Sequence, residues 1–219
     1  MRKITITQTL IFITLLTATI CLAAGTVFLF FDGIRWAGEF RAIISTLVFL
    51  VSFLAYSVAV YRILLSAFAL PAAYIAPNSR EEAIYHVHLL FFLMIFYPVM
   101  KSNLVPVPIM RLIYQGLGAK LGENTYSGGV LFDPIFVNIG SNTIVGQGAL
   151  LIPHVLEGTK LAHFPIRIGS NVTIGANAVI LSDVEIGDGA TVAIGAVVTK
   201  GSRIGKGEVW GGLPAKKLS

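Results

Sequence analysis

The sequence predicts transmembrane α-helices at the N-terminal end followed by a solenoid of short parallel β-strands. Three observations carry that prediction. Residues Ile4 to Phe31 include no charged side chain, a second apolar run extends from Ala42 to Tyr61, and from Ile168 onward an aliphatic or aromatic residue returns every six positions. Composition agrees, since 55% of the 219 residues are hydrophobic and 12% charged, outside the balance of a soluble globular domain. The apolar excess lies in the first hundred residues. Residues 1–107 are therefore expected to form a membrane unit and residues 108–219 the solenoid.

The first apolar run is about 28 residues, or roughly 42 Å of helix, more than a bilayer core requires. Arg2 and Lys3 precede it and Ala23-Ala24 could border a cleavage site. Hydrophobicity nevertheless continues through Thr26-Val-Phe-Leu-Phe-Phe31, which favours a retained anchor over a signal peptide. The second run, about 20 residues, suffices for one crossing. A third stretch, Ala83 to Met100, carries His86 and His88 and ends on Pro98 and Lys101. It either spans or lies at the membrane interface. Two crossings are expected, which return the C-terminal half to the side of Arg2 and Lys3, the cytoplasmic face of the inner membrane. His86 and His88, two apart, point to different helix faces and are read as helix-face or interfacial residues. The net charge of +5 is scattered at segment ends, so it fits lipid headgroups better than nucleic acid. A single cysteine, Cys21, excludes a disulfide framework.

In the second half the periodic positions are Ile168, Ile174, Ile180, Ile186, Val192, Val198, Ile204 and Trp210. Four residues after them stand Val172, Ala178, Val184, Ala190, Ala196 and Ser202, and Gly follows at 169, 175, 187, 205 and 211. The frame reappears upstream at Leu121, Ile139, Val145 and Leu151. A helix cannot hold a period of six on one face, whereas short strands joined by tight turns can. Asn142, Asn171 and Asn177 are expected to supply left-handed turn conformations. Three six-residue faces make a coil of roughly 18 residues with the aliphatic side chains stacked inside. Between Leu151 and Ile168 the frame breaks, with about five residues too many, and a loop leaving a solenoid at one place is where function is expected.

This pattern resembles the bacterial hexapeptide-repeat acyltransferases. The resemblance covers about Pro108 to Ser219, including Arg111 to Gly122 and the closing Gly211-Gly-Leu-Pro-Ala-Lys216. It implies a left-handed parallel β-helix, a homotrimer with sites between subunits, and acetyl-CoA or another acyl-CoA as donor. A base must take the acceptor's proton, and imidazole suits this near neutral pH. His154, at the start of the break, matches the family's catalytic histidine. Glu157, three residues on, or Asp133, which occupies a frame position where an aliphatic residue belongs, would orient it. For Asp133 a distorted coil with a partnered carboxylate is expected, beside the alternative of a simple Asp-Pro turn. His163 could touch the acceptor or stand solvated in the loop. By resemblance Gly175, Ala176, Ile194 and Gly195 would meet the pantetheine, and Thr199 and Lys200 the phosphates, although Gly201-Ser-Arg203 departs from the family's usual Asp-Val-Pro. No metal is expected, because a zinc site needs a third histidine that the repeat half lacks.

The function expected from these features is a membrane-bound acyltransferase acting on a sugar or lipid-linked glycan of the cell envelope. Alternatives are a free nucleotide-sugar or small-molecule acceptor, and a trimeric scaffold without catalysis.

Overall fold

The computed structural model describes residues 3–102 and 104–219. Arg2, half of the basic pair expected to mark the cytoplasmic side, lies outside them. The period of six becomes three parallel sheets wound into a β-helix. One sheet stacks β2 (Lys120–Leu121), β5 (Val137–Ile139), β10 (Ile166–Ile168), β13 (Glu185–Ile186) and β16 (Arg203–Ile204). The second stacks β3 (Tyr126–Ser127), β6 (Ile144–Val145), β11 (Thr173–Ile174), β14 (Thr191–Val192) and β17 (Val209–Gly212), closed by antiparallel β18 (Ala215–Lys217). The third holds β4 (Val130–Leu131), β7 (Leu150–Leu151), β12 (Val179–Ile180) and β15 (Val197–Val198).

Frame residues meet their equivalents one coil away, Ile168 against Ile186, Ile174 against Val192 and Ile180 against Val198. They are buried, as are Val172, Ala178, Val184, Ala190 and Ala196. Asn142, Asn171 and Asn177 take positive φ of 55 to 57°, as expected for a short polar side chain that tolerates the left-handed turn. The break is larger than its sequence frame suggests. Leu151 stacks on Ile180, 29 rather than 18 positions away, so eleven residues are inserted and not five. Counting in sixes hid one whole face. The insert is an antiparallel hairpin, β8 (His154–Glu157) and β9 (Lys160–His163), joined by β1 (Tyr74–Ile75) from the first half of the chain.

Among the described residues, three helices are long and apolar enough to cross a membrane, Ile6–Phe31, Trp36–Ala67 and Arg80–Lys101. The first, α1 (Ile6–Phe31), and α2 (Arg41–Ala67) are joined by a 3₁₀ connection over Asp32–Phe40. The third differs in character, because half of its apolar stretch is buried within the protein. It opens as α3 (Arg80–Phe91), where Ser79 caps by accepting from the Glu82 N–H at 3.1 Å. A π-turn over Phe92–Phe96 follows, then α4 (Tyr97–Lys101). Pro98 cannot donate to the carbonyl four residues back, and a π-turn is one way a helix absorbs that loss. Last, α5 (Val107–Gly116) closes the open end of the β-helix, with the Tyr114 hydroxyl donating to the Gly129 carbonyl at 2.7 Å.

Candidate active site

In the first coil the frame slips and recovers. Ser127 stacks normally on Val145, but Leu131 takes the place on Leu151 where the six-residue count puts Asp133. The shortcut runs through Gly128 and Gly129, and a Cβ on Gly129 would stand 2.3 Å from the Ala149 carbonyl oxygen. Asp133 is thereby pushed past the core stack to the corner, at φ 41°, where Pro134–Phe136 forms a 3₁₀ turn. The distorted coil and partnered carboxylate are what the structure holds.

Asp133 Oδ2 accepts from His154 Nδ1 at 2.6 Å, and Oδ1 accepts from His88 Nε2 at 2.7 Å. The Tyr61 hydroxyl lies 2.8 Å from His88 Nδ1. The Asp133 side chain is 4% exposed, His88 fully buried and the His154 side chain 24% exposed. With Nδ1–H committed to Asp133, the neutral tautomer of His154 leaves Nε2 as the lone-pair nitrogen of a partly exposed ring. Burial would raise the Asp133 carboxyl, but the hydrogen bonds from His154 and His88 outweigh it and hold the group well below the usual carboxylate range. Burial depresses His154, yet its bond to Asp133 and the negative charge there leave it raised above 6.5. Phe132 meets the His154 ring edge-on at 5.7 Å between centroids, and Phe92 and Tyr97 of the third apolar helix pack on Phe132.

Three expectations require correction. Glu157 does not orient His154. Both lie on β8, where residues three apart face opposite sides, and Glu157 instead pairs with Lys200 at 3.3 Å on the exposed surface. His163 is not a solvated loop residue. It is fully buried, stacked on Phe136 at 4.7 Å, with neither ring nitrogen hydrogen-bonded. Burial holds it down to about 4, more than the nearby Asp133 charge can offset. His88 is not an interfacial residue, for the third helix turns it onto Asp133. His86 on the same helix is also buried, with its Nδ1 2.9 Å from Gln8 Oε1 of α1.

The residues assigned to the coenzyme occupy two corners of the coil. Gly175 and Ala176 stack on Ala193 to Gly195 in the next coil, where a Cβ on Gly175 would stand 2.5 Å from the Ile194 nitrogen. Ile194 is 77% exposed. The Ala176 carbonyl accepts from the Gly195 N–H at 2.9 Å. Thr199 and Lys200 stand across the third sheet from that strip, at the corner shared with the hairpin, and Thr199 bonds Ser202. Among the described residues, His88, Asp133 and His163 come nearest to a metal-binding set, their ligand atoms lying within 4.8 Å of one another. His88 and Asp133 are hydrogen-bonded to each other at 2.7 Å, and neither ring nitrogen of His163 is hydrogen-bonded.

The sequence reading missed His88 and Tyr61. An ionisable residue inside an apolar stretch was the available signal for His88. Nothing local marks Tyr61.

A family model described as bacterial transferase hexapeptide (six repeats) matches residues 165–200. The Bacillus subtilis protein YvoF, provisionally named an acetyltransferase, is 36% identical over 78 residues, 34% of this chain and 45% of that protein. The bifunctional protein GlmU of Pseudoalteromonas atlantica is 47% identical over 62 residues, 28% of this chain and 12% of that protein. Among solved structures, a hexapeptide-repeat acetyltransferase of Vibrio cholerae complexed with acetyl coenzyme A superposes with a TM-score of 0.43 and 27% identity, covering 48% of this chain and 61% of its own. The chain thus spans less than half the length of these curated relatives. Residues 165–200 thus carry hexapeptide repeats of the kind found in bacterial transferases.

Proposed function

We propose that the protein is a membrane-tethered acyltransferase, moving acetyl or a close acyl relative from coenzyme A to a hydroxyl or amine of a sugar or lipid-linked envelope glycan. The observation that carries this reading is the 2.6 Å Asp133–His154 pair, seated at the insert of the hexapeptide repeats with the His154 side chain partly exposed. His154 Nε2 takes the acceptor's proton as the acceptor atom bonds to the thioester carbon. Backbone amides stabilise the resulting oxyanion. The C–S bond then breaks, the acyl group stays on the acceptor, and the departing thiolate recovers the proton from His154. Coenzyme A would lie along Gly175, Ala176, Ile194 and Gly195, with Thr199 and Lys200 toward its phosphates. Lys200 must leave Glu157 to serve there. The active assembly in this reading is a homotrimer.

Attachment to the membrane is supported by the surface of the α1–α2 hairpin. Beyond Phe12, side chains such as Ile13, Ile20, Leu22, Phe28, Ile43, Leu47 and Leu50 are exposed. Ile13 to Phe31 measures about 28 Å of helix, close to a bilayer core of ~30 Å. The third helix instead follows the β-helix, with Tyr85 against His163, Phe92 against Phe132, and Met100 and Lys101 in one cleft with Gly128 and Ala176. A helix so engaged fits the interface better than a lipid-surrounded crossing. Two crossings then place the β-helix on the cytoplasmic face, where acyl-CoA is available.

The test is acetyl-CoA turnover in native membranes, wild type against His154→Ala at matched expression. A loss of about 10²-fold or more is expected, with labelled acetyl recovered in the lipid extract. Equal turnover in both removes His154 from the chemistry, and label confined to the aqueous phase removes the lipid-linked acceptor. A wild type inert toward every envelope glycan offered favours the scaffold.

A further inference from the structure

The hydrogen bonds around Asp133 close only when the membrane half of the chain is counted. His154 uses one carboxylate oxygen, and the other would be a buried charged acceptor without a donor, which is costly. His88, fully buried on α3, supplies that donor. For Nε2 to donate, Nδ1 must be the lone-pair nitrogen, and the buried Tyr61 hydroxyl stands 2.8 Å from it as the matching donor. The resulting series is directional, Tyr61 O–H to His88 Nδ1, His88 Nε2–H to Asp133 Oδ1, and His154 Nδ1–H to Asp133 Oδ2. Every proton then has one place, and the free lone pair emerges at His154 Nε2. These groups come from α2, α3, the first coil and the hairpin, four parts of the chain far apart in sequence.

We propose that His88, held by Tyr61, is a positioning residue for acyl transfer, fixing the Asp133 carboxylate against His154 so that the membrane half completes the catalytic machinery of the β-helix. The inference rests on the acyltransferase reading above. Outer partners of this kind typically change activity by about 10–100-fold when removed, as they do behind metal-bound histidines. Among the described residues, other titratable or charged groups near the cluster are Tyr85 of α3, 6.1 Å from the His88 ring, His163 of β9, 6.4 Å from it, and Arg62 of α2, whose charge acts on Tyr61. Removing the His88 donor concentrates the carboxylate's charge on the oxygen facing His154 and strengthens that partner's hold on its proton.

The test uses the full-length protein in detergent or native membranes, with two readouts. One is acetyl-CoA turnover. The other is the pH dependence of diethyl pyrocarbonate modification, which reports His154 alone because the other three of the four histidines are buried. In His88→Leu, kcat is expected to fall about 10–100-fold, with KM for acetyl-CoA little changed and the His154 inflection moved to higher pH. In His88→Gln, whose amide nitrogen reaches the same place, most of kcat and the original inflection should return. Tyr61→Phe should move both readouts in the direction of His88→Leu, by less. A folded His88→Leu with wild-type kcat and inflection overturns the inference. So does equal impairment of the Leu and Gln variants with the inflection unmoved, since that is a packing role. If His88→Leu does not fold, an unchanged Tyr61→Phe overturns it. Wild-type turnover combined with an unmoved inflection in His88→Leu leaves the acyltransferase reading standing. A moved inflection without wild-type turnover rejects that reading and retains the His88–Asp133 contact.

Discussion

At the scale of single residues, two histidines at the candidate site are shifted in opposite directions. His154 is raised above 6.5 by Asp133, so as a base it is free only above that value. Turnover should therefore climb with pH through an inflection above 6.5. Asp133→Asn removes the negative charge and presents an amide N–H to one of two imidazole N–H groups. Loss of about 10²–10⁴ in kcat/KM is expected, with the residual acid limb shifted to lower pH. A pH–rate profile measures both. His163 behaves in reverse, since it sits near 4 in the folded protein and near 6.5 in an unfolded chain. Its contribution to stability is present above about 6.5 and is lost as pH falls toward 4, because only the unfolded chain takes the proton. The loss amounts to up to about 3 kcal/mol. His163→Phe removes two orphaned nitrogens and should leave stability at pH 7 unchanged or higher. Thermal melts between pH 7 and 4 should show the variant losing less than the wild type.

At the scale of elements, the first coil and the hairpin are made to meet. The slip through Gly128 and Gly129 frees Asp133 from the core stack, and the eleven inserted residues bring His154 down beside it. Gly129 is the tightest point, with the Ala149 carbonyl oxygen 2.3 Å from where a Cβ would be. Gly129→Ala must therefore displace backbone, and a cost of about 1–3 kcal/mol is expected, read as a lowered denaturation midpoint. Because the displaced segment leads directly to Asp133, the same variant should lose activity even at temperatures where it stays folded. The third apolar helix is the other decisive element. Its π-turn and the cap at Ser79 set which side chains face the β-helix, and His88 is the one brought to the carboxylate.

On the scale of the whole molecule, the α1–α2 hairpin and the β-helix meet at the roots of the hairpin. Gln8 and Phe12 near the start of α1, and Tyr61 near the end of α2, contact the third helix. In the proposed arrangement both roots stand on the cytoplasmic side and the 3₁₀ connection Asp32–Phe40 on the other. An alkaline phosphatase reporter inserted into that connection should be active, and one fused after Ser219 inactive. Activity at both sites would mean that the third helix crosses and would put the β-helix on the far face.

The sequence by itself determined the β-helix, because a strict six-residue period with Gly and Asn at the turns has no other economical packing. It also determined the apolar helices, whose length and lack of charge are local properties, and it pointed to His154 at the one break in the frame. Asp133 was legible as a misfit in that frame, but Glu157 was an equal candidate, because sequence proximity does not say which way a strand turns its side chains. Only the tertiary structure decided between them, and only it brought His88 and Tyr61 to the carboxylate and buried His163. These are contacts between residues 21 to 78 positions apart, set by how two halves with unrelated periodicities pack, and no local pattern encodes that packing.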